Sequence, residues 1–352
     1  MMHWRLGLIG FGNVGQALAT LLGDVSDELK SRHGVSVAVG LVATRRAGVQ
    51  VAIDGAPPGG GLNLEVPLPS KRSGQVLDAS ETLVAVRHAP IDLLIEMSPT
   101  EPRTAQPATS HIREAIASGR HVITANKGPV ALYGPELRTQ ASSAGVGFRY
   151  ESAVMDCLPI LALRDSRFRL EHVTAFAAIP NSTSSYVLDA MAVGRSRAEA
   201  VAEAQRMGFA ERDPALDLEG WDAAMKAAIL AQELMGRDVR LRDVERAGLS
   251  AVADAEPRSA LAAGQRMRLV ARCAGPDAPV HVGPEHLHMS GFLGSVAGPS
   301  TAIVIDTQEM GQLAMTLVNP GPRQTAYAVV MDLVALTRAV RAGELRPPPP
   351  LT

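Results

Sequence analysis

The sequence predicts an α/β protein in two parts, a parallel-sheet domain followed by an α+β domain, and three observations carry that expectation. An apolar run at residues 4–10 leads directly into the glycines of GFGNVG, and a helically spaced apolar stretch follows. Strand-like and helix-like segments then alternate as far as residue 150. Beyond that point the alternation stops, and strand-like runs at residues 173–179 and 268–273 are separated by helical patterns at 184–192 and 197–207. The expected bounds are 1–150 for the first domain and 151–317 for the second. The helical pattern of residues 325–339 suggests that 318–345 pack back on the first domain, and 346–352, rich in proline, read as a disordered tail.

Taken in order, WRLGLIG is a strand, and Gly10, Gly12 and Gly15 mark a Rossmann-type dinucleotide turn. The first glycine permits the tight turn, the second lets backbone approach a pyrophosphate, and the third allows close helix packing. Residues 35–43 form the next strand, and Thr44, Arg45 and Arg46 follow it where an acid would bind the ribose of NAD. Arginine there can grip a 2'-phosphate, so NADP is expected over NAD, unless these arginines are simply solvated. Residues 54–74, rich in Gly, Pro and Ser, read as a mobile loop. A helix is expected at 75–86, a buried strand at 91–97, a helix at 101–118 and a strand at 121–125 that runs into Asn126, Lys127 and Gly128. Ligands bind beyond the carboxyl ends of such strands, so Lys127 is either a site residue or a surface charge. A further strand at 147–152 and a turn at 153–159 close the first domain.

Composition narrows the function classes. With 352 residues, 46% hydrophobic and 20% charged, the chain can bury two cores. A net charge of -2 and a 3% aromatic content, with no basic stripe, argue against nucleic acid. No apolar run reaches the roughly 18 residues of a membrane span. The first strand begins at once, so no signal peptide is expected, and Cys157 and Cys273 fit neither a metal spacing nor a disulfide framework. A cytoplasmic protein is expected.

The stretch 204–226, AQRMGFAERDPALDLEGWDAAMK, reads as the reacting centre. Pro214 keeps Asp213 out of a helix, so Glu211, Asp213 and Asp217 are expected on a structured loop, with Asp213 structural. A helix begins after Gly220, and Asp222 and Lys226, four apart, share one face of it. The same spacing also fits a solvated ion pair.

Several motifs in one order make the chain resemble the homoserine dehydrogenase family over nearly its whole length: GFGNVG at 10–15, TANKG at 124–128, YESAVMDCLP at 150–159 and IPNSTSSYVL at 179–188. The resemblance implies NAD(P)-dependent interconversion of homoserine and aspartate 4-semialdehyde, in threonine and methionine biosynthesis, by a homodimer or larger homo-oligomer. It implies that Lys226 and Lys127 are catalytic and that Glu211, Asp217 and Asp222 bind the substrate. It places the cofactor on Gly10, Phe11, Gly12, Asn13, Val14, Gly15, Ser98 and Lys127, with Arg45 and Arg46 added by the argument above. It also implies a structural Na+ or K+ held by Glu151, Val154, Asp156 and Leu158, mainly through backbone carbonyls.

Three departures stand out. LVNPG at 317–321 replaces a glycine-rich loop, Cys157 stands where glycine is common, and Ser185 where asparagine is common. A form with neither a C-terminal regulatory domain of the ACT kind nor a preceding kinase domain is expected. The altered loop keeps two other readings open: a related oxidoreductase acting on another small amino or hydroxy acid, and a non-catalytic NADPH-sensing protein.

Overall fold

The computed structural model describes residues 1–45, 48–51, 79–207, 210 and 213–348. The 54–74 insertion, Arg46, Glu211 and residues 349–352 of the tail lie outside these. The chain divides into two compact units, Met1–Ala153 with Pro322–Thr352, and Val154–Gly321.

The first unit holds six strands: β1 (Met2–Ile9), β2 (Val35–Thr44), β3 (Gly48–Val51), β4 (Leu93–Glu96), β5 (His121–Thr124) and β6 (Phe148–Arg149). Their order is β3-β2-β1-β4-β5-β6. All neighbours are parallel except β2 and β3. Central strands covered on both faces need apolar residues on both, which is why these segments read as runs instead of alternations. On one face Trp4, Leu6 and Leu8 pack with Leu18 and Leu22 of the helix Asn13–Asp24 and with Val329, Val330 and Leu333 of the helix Pro322–Arg341. Each such fully buried side chain contributes about 1.5–3 kcal/mol. On the other face Leu94 and Val122 meet Val86, Ile112 and Leu137.

The long C-terminal helix is fixed by polar contacts as well. Trp4 Nε1 donates to Thr337 Oγ1 at 2.9 Å, and Arg341 donates to the carbonyls of His33 and Gly34. Arg346, placed by the sequence in a loose tail, is anchored. Its N–H reaches Gly145 O at 2.8 Å, and its carbonyl meets His121 Nε2 at 3.0 Å.

One helix expectation needs correction, and one helix was not foreseen. The helix expected over 101–118 is Ala108–Ala117, because Pro102 and Pro107 keep the residues before them out of helical geometry. Glu101 instead accepts from the N–H groups of Arg103 and Thr104. Lys127 lies just beyond the carboxyl end of β5, as expected, and begins the helix Lys127–Ala144, which the sequence hides behind Gly128, Pro129, Gly134 and Pro135. Pro129 lies in the first turn, where its missing N–H has no helical partner to lose.

The second unit is α+β. Its strands are β7 (Val173–Ile179), β8 (Glu245–Arg246), β9 (Gln265–Cys273), β10 (Val280–His288), β11 (Thr301–Thr307) and β12 (Gln312–Leu317), in the order β12-β11-β7-β9-β10-β8. Pairings are antiparallel apart from β8 with β10. The helices Ser182–Ala192, Trp221–Met235 and Glu256–Ala262 accompany this sheet. Among the described residues no helix is long and apolar enough to cross a membrane.

Candidate active site

In the first unit the glycine turn has the geometry its sequence implies. Gly10 has φ +89°, and a Cβ there would lie 2.5 Å from Met97 O, so only glycine fits. Gly15 is similarly confined, its Cβ position being 2.9 Å from Gly10 O. Around Gly12, by contrast, no described atom lies within 4 Å of that position, so backbone is open to a ligand. Gly12 is the N-cap of Asn13–Asp24, whose first turn carries no acidic side chain. The positive end of that helix is therefore left for an anion, and the turn fits the pyrophosphate of a dinucleotide. Phe11 and Val14 are half-buried and Asn13 exposed beside it, and Arg45 is exposed just beyond β2.

At the ends of β4 and β5, buried Glu96 accepts the hydroxyl and the N–H of Ser98. Its other oxygen has no partner among the described residues. Asn126 Nδ2 donates to Ser98 O at 2.9 Å, while its Oδ1 accepts from Gly128 N at 3.1 Å and caps the helix that starts with Lys127. One buried amide thus joins the Ser98 loop to the backbone of Gly128, in the first turn of the helix that Lys127 begins.

In the second unit Lys226 Nζ lies 3.1 Å from Asp222 Oδ2 and donates to Pro180 O at 2.7 Å. The two side chains are only 12% and 7% exposed, so this is not the solvated pair that the spacing also allowed. Asp217 lies on a short helix, Ala215–Leu218, and not on the structured loop expected; Asp213 precedes that helix and accepts from Ala215 N at 3.1 Å. The turn before Trp221–Met235 is held by Arg246, which donates to Glu219 O and lies 4.0 Å over the Trp221 ring.

The side chain that links this cluster was not singled out in the sequence. Asn181 Nδ2 donates to Asp217 Oδ1 at 2.8 Å and to Asp222 Oδ2 at 2.9 Å. An asparagine between a strand and a Ser/Thr-rich helix start does signal an N-cap, and Asn181 is one. Its contacts with carboxylates far along the chain leave no such signal. Ser185 donates to Asn181 O at 2.9 Å, so the residue at this departure supports the same corner.

Of the residues associated with a cation, Glu151 lies buried in a single 3-10 turn of the first unit, its N–H bound to Asp332 at 3.0 Å. Val154 and Leu158 are buried in the second unit, where Asp156 has φ 54°. Burial, then the charge of Asp156, pushes the Cys157 thiol up. Among the described residues no three His, Cys, Asp or Glu side chains gather as a metal site.

Comparison with known proteins agrees with both units. Residues 10–151 match the homoserine dehydrogenase NAD-binding domain, and residues 159–334 match the homoserine dehydrogenase domain. The NAD(+)-dependent homoserine dehydrogenase of Pseudomonas canavaninivorans is 32% identical over 345 residues, covering 95% of this chain and 96% of that protein. A homoserine dehydrogenase crystal structure from Thiobacillus denitrificans superposes with a TM-score of 0.79 at 28% identity, over 98% of this chain and 75% of that one. A hyperthermophilic archaeal homoserine dehydrogenase in complex with NADPH gives 0.78 at 26% identity, over 96% and 98%.

Fold and glycine turn define an NAD(P)-dependent oxidoreductase, here one acting on a CH–OH group. The chain belongs to the homoserine dehydrogenase family, and its reaction is the NAD(P)-dependent oxidoreduction of homoserine. The family places that reaction in amino-acid biosynthesis.

Proposed function

We propose that Lys226 exchanges a proton with the substrate oxygen, that Lys127 orients the same oxygen, and that Glu211, Asp217 and Asp222 hold the substrate's ammonium. The observation carrying this reading is the buried Lys226–Asp222 pair, with Asp217 tied to it through one amide. The bound nicotinamide supplies or accepts the hydride. In the reducing direction Lys226 gives its proton to the aldehyde oxygen; in the oxidising direction it takes the proton back. Asp222 and Pro180 O direct two of its N–H groups, leaving the third for the oxygen. The roles of Lys127 and Glu211 rest on the family resemblance.

The same reading gives NADP preference over NAD. It is supported by exposed Arg45 just beyond β2 and by the relative bound to NADPH, while the Pseudomonas relative is named as NAD(+)-dependent. Purified protein with homoserine and either NADP or NAD at alkaline pH decides it: faster reduction of NADP is expected, and faster reduction of NAD would discard the arginine argument. A homo-oligomer of two or more chains in the cytoplasm, and a structural Na+ or K+, complete the proposal on the resemblance alone. Light scattering in solution tests the first, and activity after exchange into a buffer free of both ions tests the second.

A further inference from the structure

We infer that Asn181 is a positioning residue of the active centre, holding the Asp217 and Asp222 carboxylates, and through Asp222 the Lys226 ammonium, in one fixed arrangement. The inference rests on the role given above to Lys226.

Asn181 is 5% exposed and follows β7 at the start of the helix Ser182–Ala192. Its Oδ1 accepts from Ser184 N at 2.8 Å, which fixes the orientation of the amide. The opposite orientation would aim an oxygen at two carboxylates and an N–H at a donor. With Oδ1 so fixed, the two hydrogens of Nδ2 go one to Asp217 and one to Asp222. The preceding residue completes the arrangement, since Pro180 O receives Lys226 Nζ while Asn181 Nδ2 binds the carboxylate of the same ion pair. Two consecutive residues thus hold both partners of the pair. The backbone just after them is pinned in turn, Asn181 O accepting from the hydroxyls of Ser184 at 3.2 Å and Ser185 at 2.9 Å.

The chemistry selects an amide. A cation at this position would satisfy both carboxylates and compete with the substrate's ammonium. A third acid would repel them. A neutral group with two donors holds both while leaving their charge for the substrate, as no other uncharged side chain but glutamine can.

Capping and positioning separate experimentally, because Asp and Thr also serve as N-caps. Asn181→Asp and Asn181→Thr keep an acceptor for Ser184 N and lose the double donor. The measurements are kcat and KM for homoserine, KM for the nicotinamide cofactor and the thermal midpoint, with Lys226→Ala assayed alongside. Misplacing reacting groups by about 1 Å costs about 100-fold, and a loss of that order in kcat/KM for homoserine is expected, with cofactor KM unchanged. Wild-type kcat/KM in Asn181→Asp overturns the inference. If Asn181→Asp does not fold, Asn181→Thr decides by the same criterion. A loss that falls equally on cofactor KM and thermal midpoint assigns only a structural role and also overturns it. Inactive Lys226→Ala beside wild-type Asn181→Asp removes the Asn181 role alone, whereas active Lys226→Ala removes the role of Lys226 and this inference with it.

Discussion

Lys226 and Asp222 form a largely buried ion pair, Nζ to Oδ2 at 3.1 Å, one helical turn apart on Trp221–Met235. Asp222→Asn keeps the shape and removes the charge. A hydrogen bond to a charged group is worth about 1.5–3 kcal/mol, so kcat/KM for homoserine should fall about 10- to 100-fold. Cofactor KM should hold. Unchanged homoserine kinetics would mean that Asp222 does not set Lys226.

The three glycines of the turn should respond differently to alanine. Gly10→Ala places a Cβ 2.5 Å from Met97 O at φ +89°, so it should disrupt folding of the first unit. Gly12→Ala meets open space, so the thermal midpoint should stay while cofactor KM rises about tenfold or more through one blocked backbone contact. Equal effects of both substitutions on stability would contradict this distinction.

Those glycines show what was legible. GFGNVG and the apolar runs of β1, β2, β4 and β5 announce themselves because both faces of each strand are covered. The helix Lys127–Ala144 did not, since Gly128, Pro129, Gly134 and Pro135 read locally as breakers. Strand β10 hides behind Pro284, which is tolerated because β8 pairs with β10 only at His281 and Val282. In the site, Lys226 and Asp222 follow from helical spacing. Asn181 does not, because its carboxylate partners are 36 and 41 residues away.

Stability of the second unit should depend on Asp189. Arg268 is 0% exposed and pairs with both oxygens of Asp189 at 2.8 Å, and Gly298 N donates to the same carboxylate at 2.7 Å. Burial lowers the Arg268 pKa, and Asp189 offsets that. Asp189→Ala leaves a buried charge without this partner, and a loss of about 3 kcal/mol is expected in denaturant unfolding. A change below about 0.5 kcal/mol, as at an ordinary surface site, would show that the pair is not needed.

Buried His121 sets a pH dependence. Its Nδ1 accepts from Gly147 N at 2.9 Å and its Nε2 donates to Arg346 O at 3.0 Å, so the neutral ring fits. Burial lowers its pKa from the usual 6.5, partly opposed by the Arg346 carbonyl. The unfolded chain therefore binds the proton first, and the stability His121 contributes is full above pH 6.5 and lost as pH falls. Against His121→Gln, the wild-type advantage in thermal midpoint should shrink between pH 7 and pH 5. A constant difference would contradict it.

The role of Lys226 is tested most directly by absorbance of the reduced nicotinamide on adding homoserine to wild-type protein and to Lys226→Ala, with cofactor binding measured on both. Wild type should reduce the cofactor, and Lys226→Ala should bind it equally while turning over about 100- to 10,000-fold more slowly, the usual contribution of a positioned acid–base group. Turnover by Lys226→Ala at the wild-type rate would contradict the assignment of Lys226 as the group that exchanges the substrate's proton.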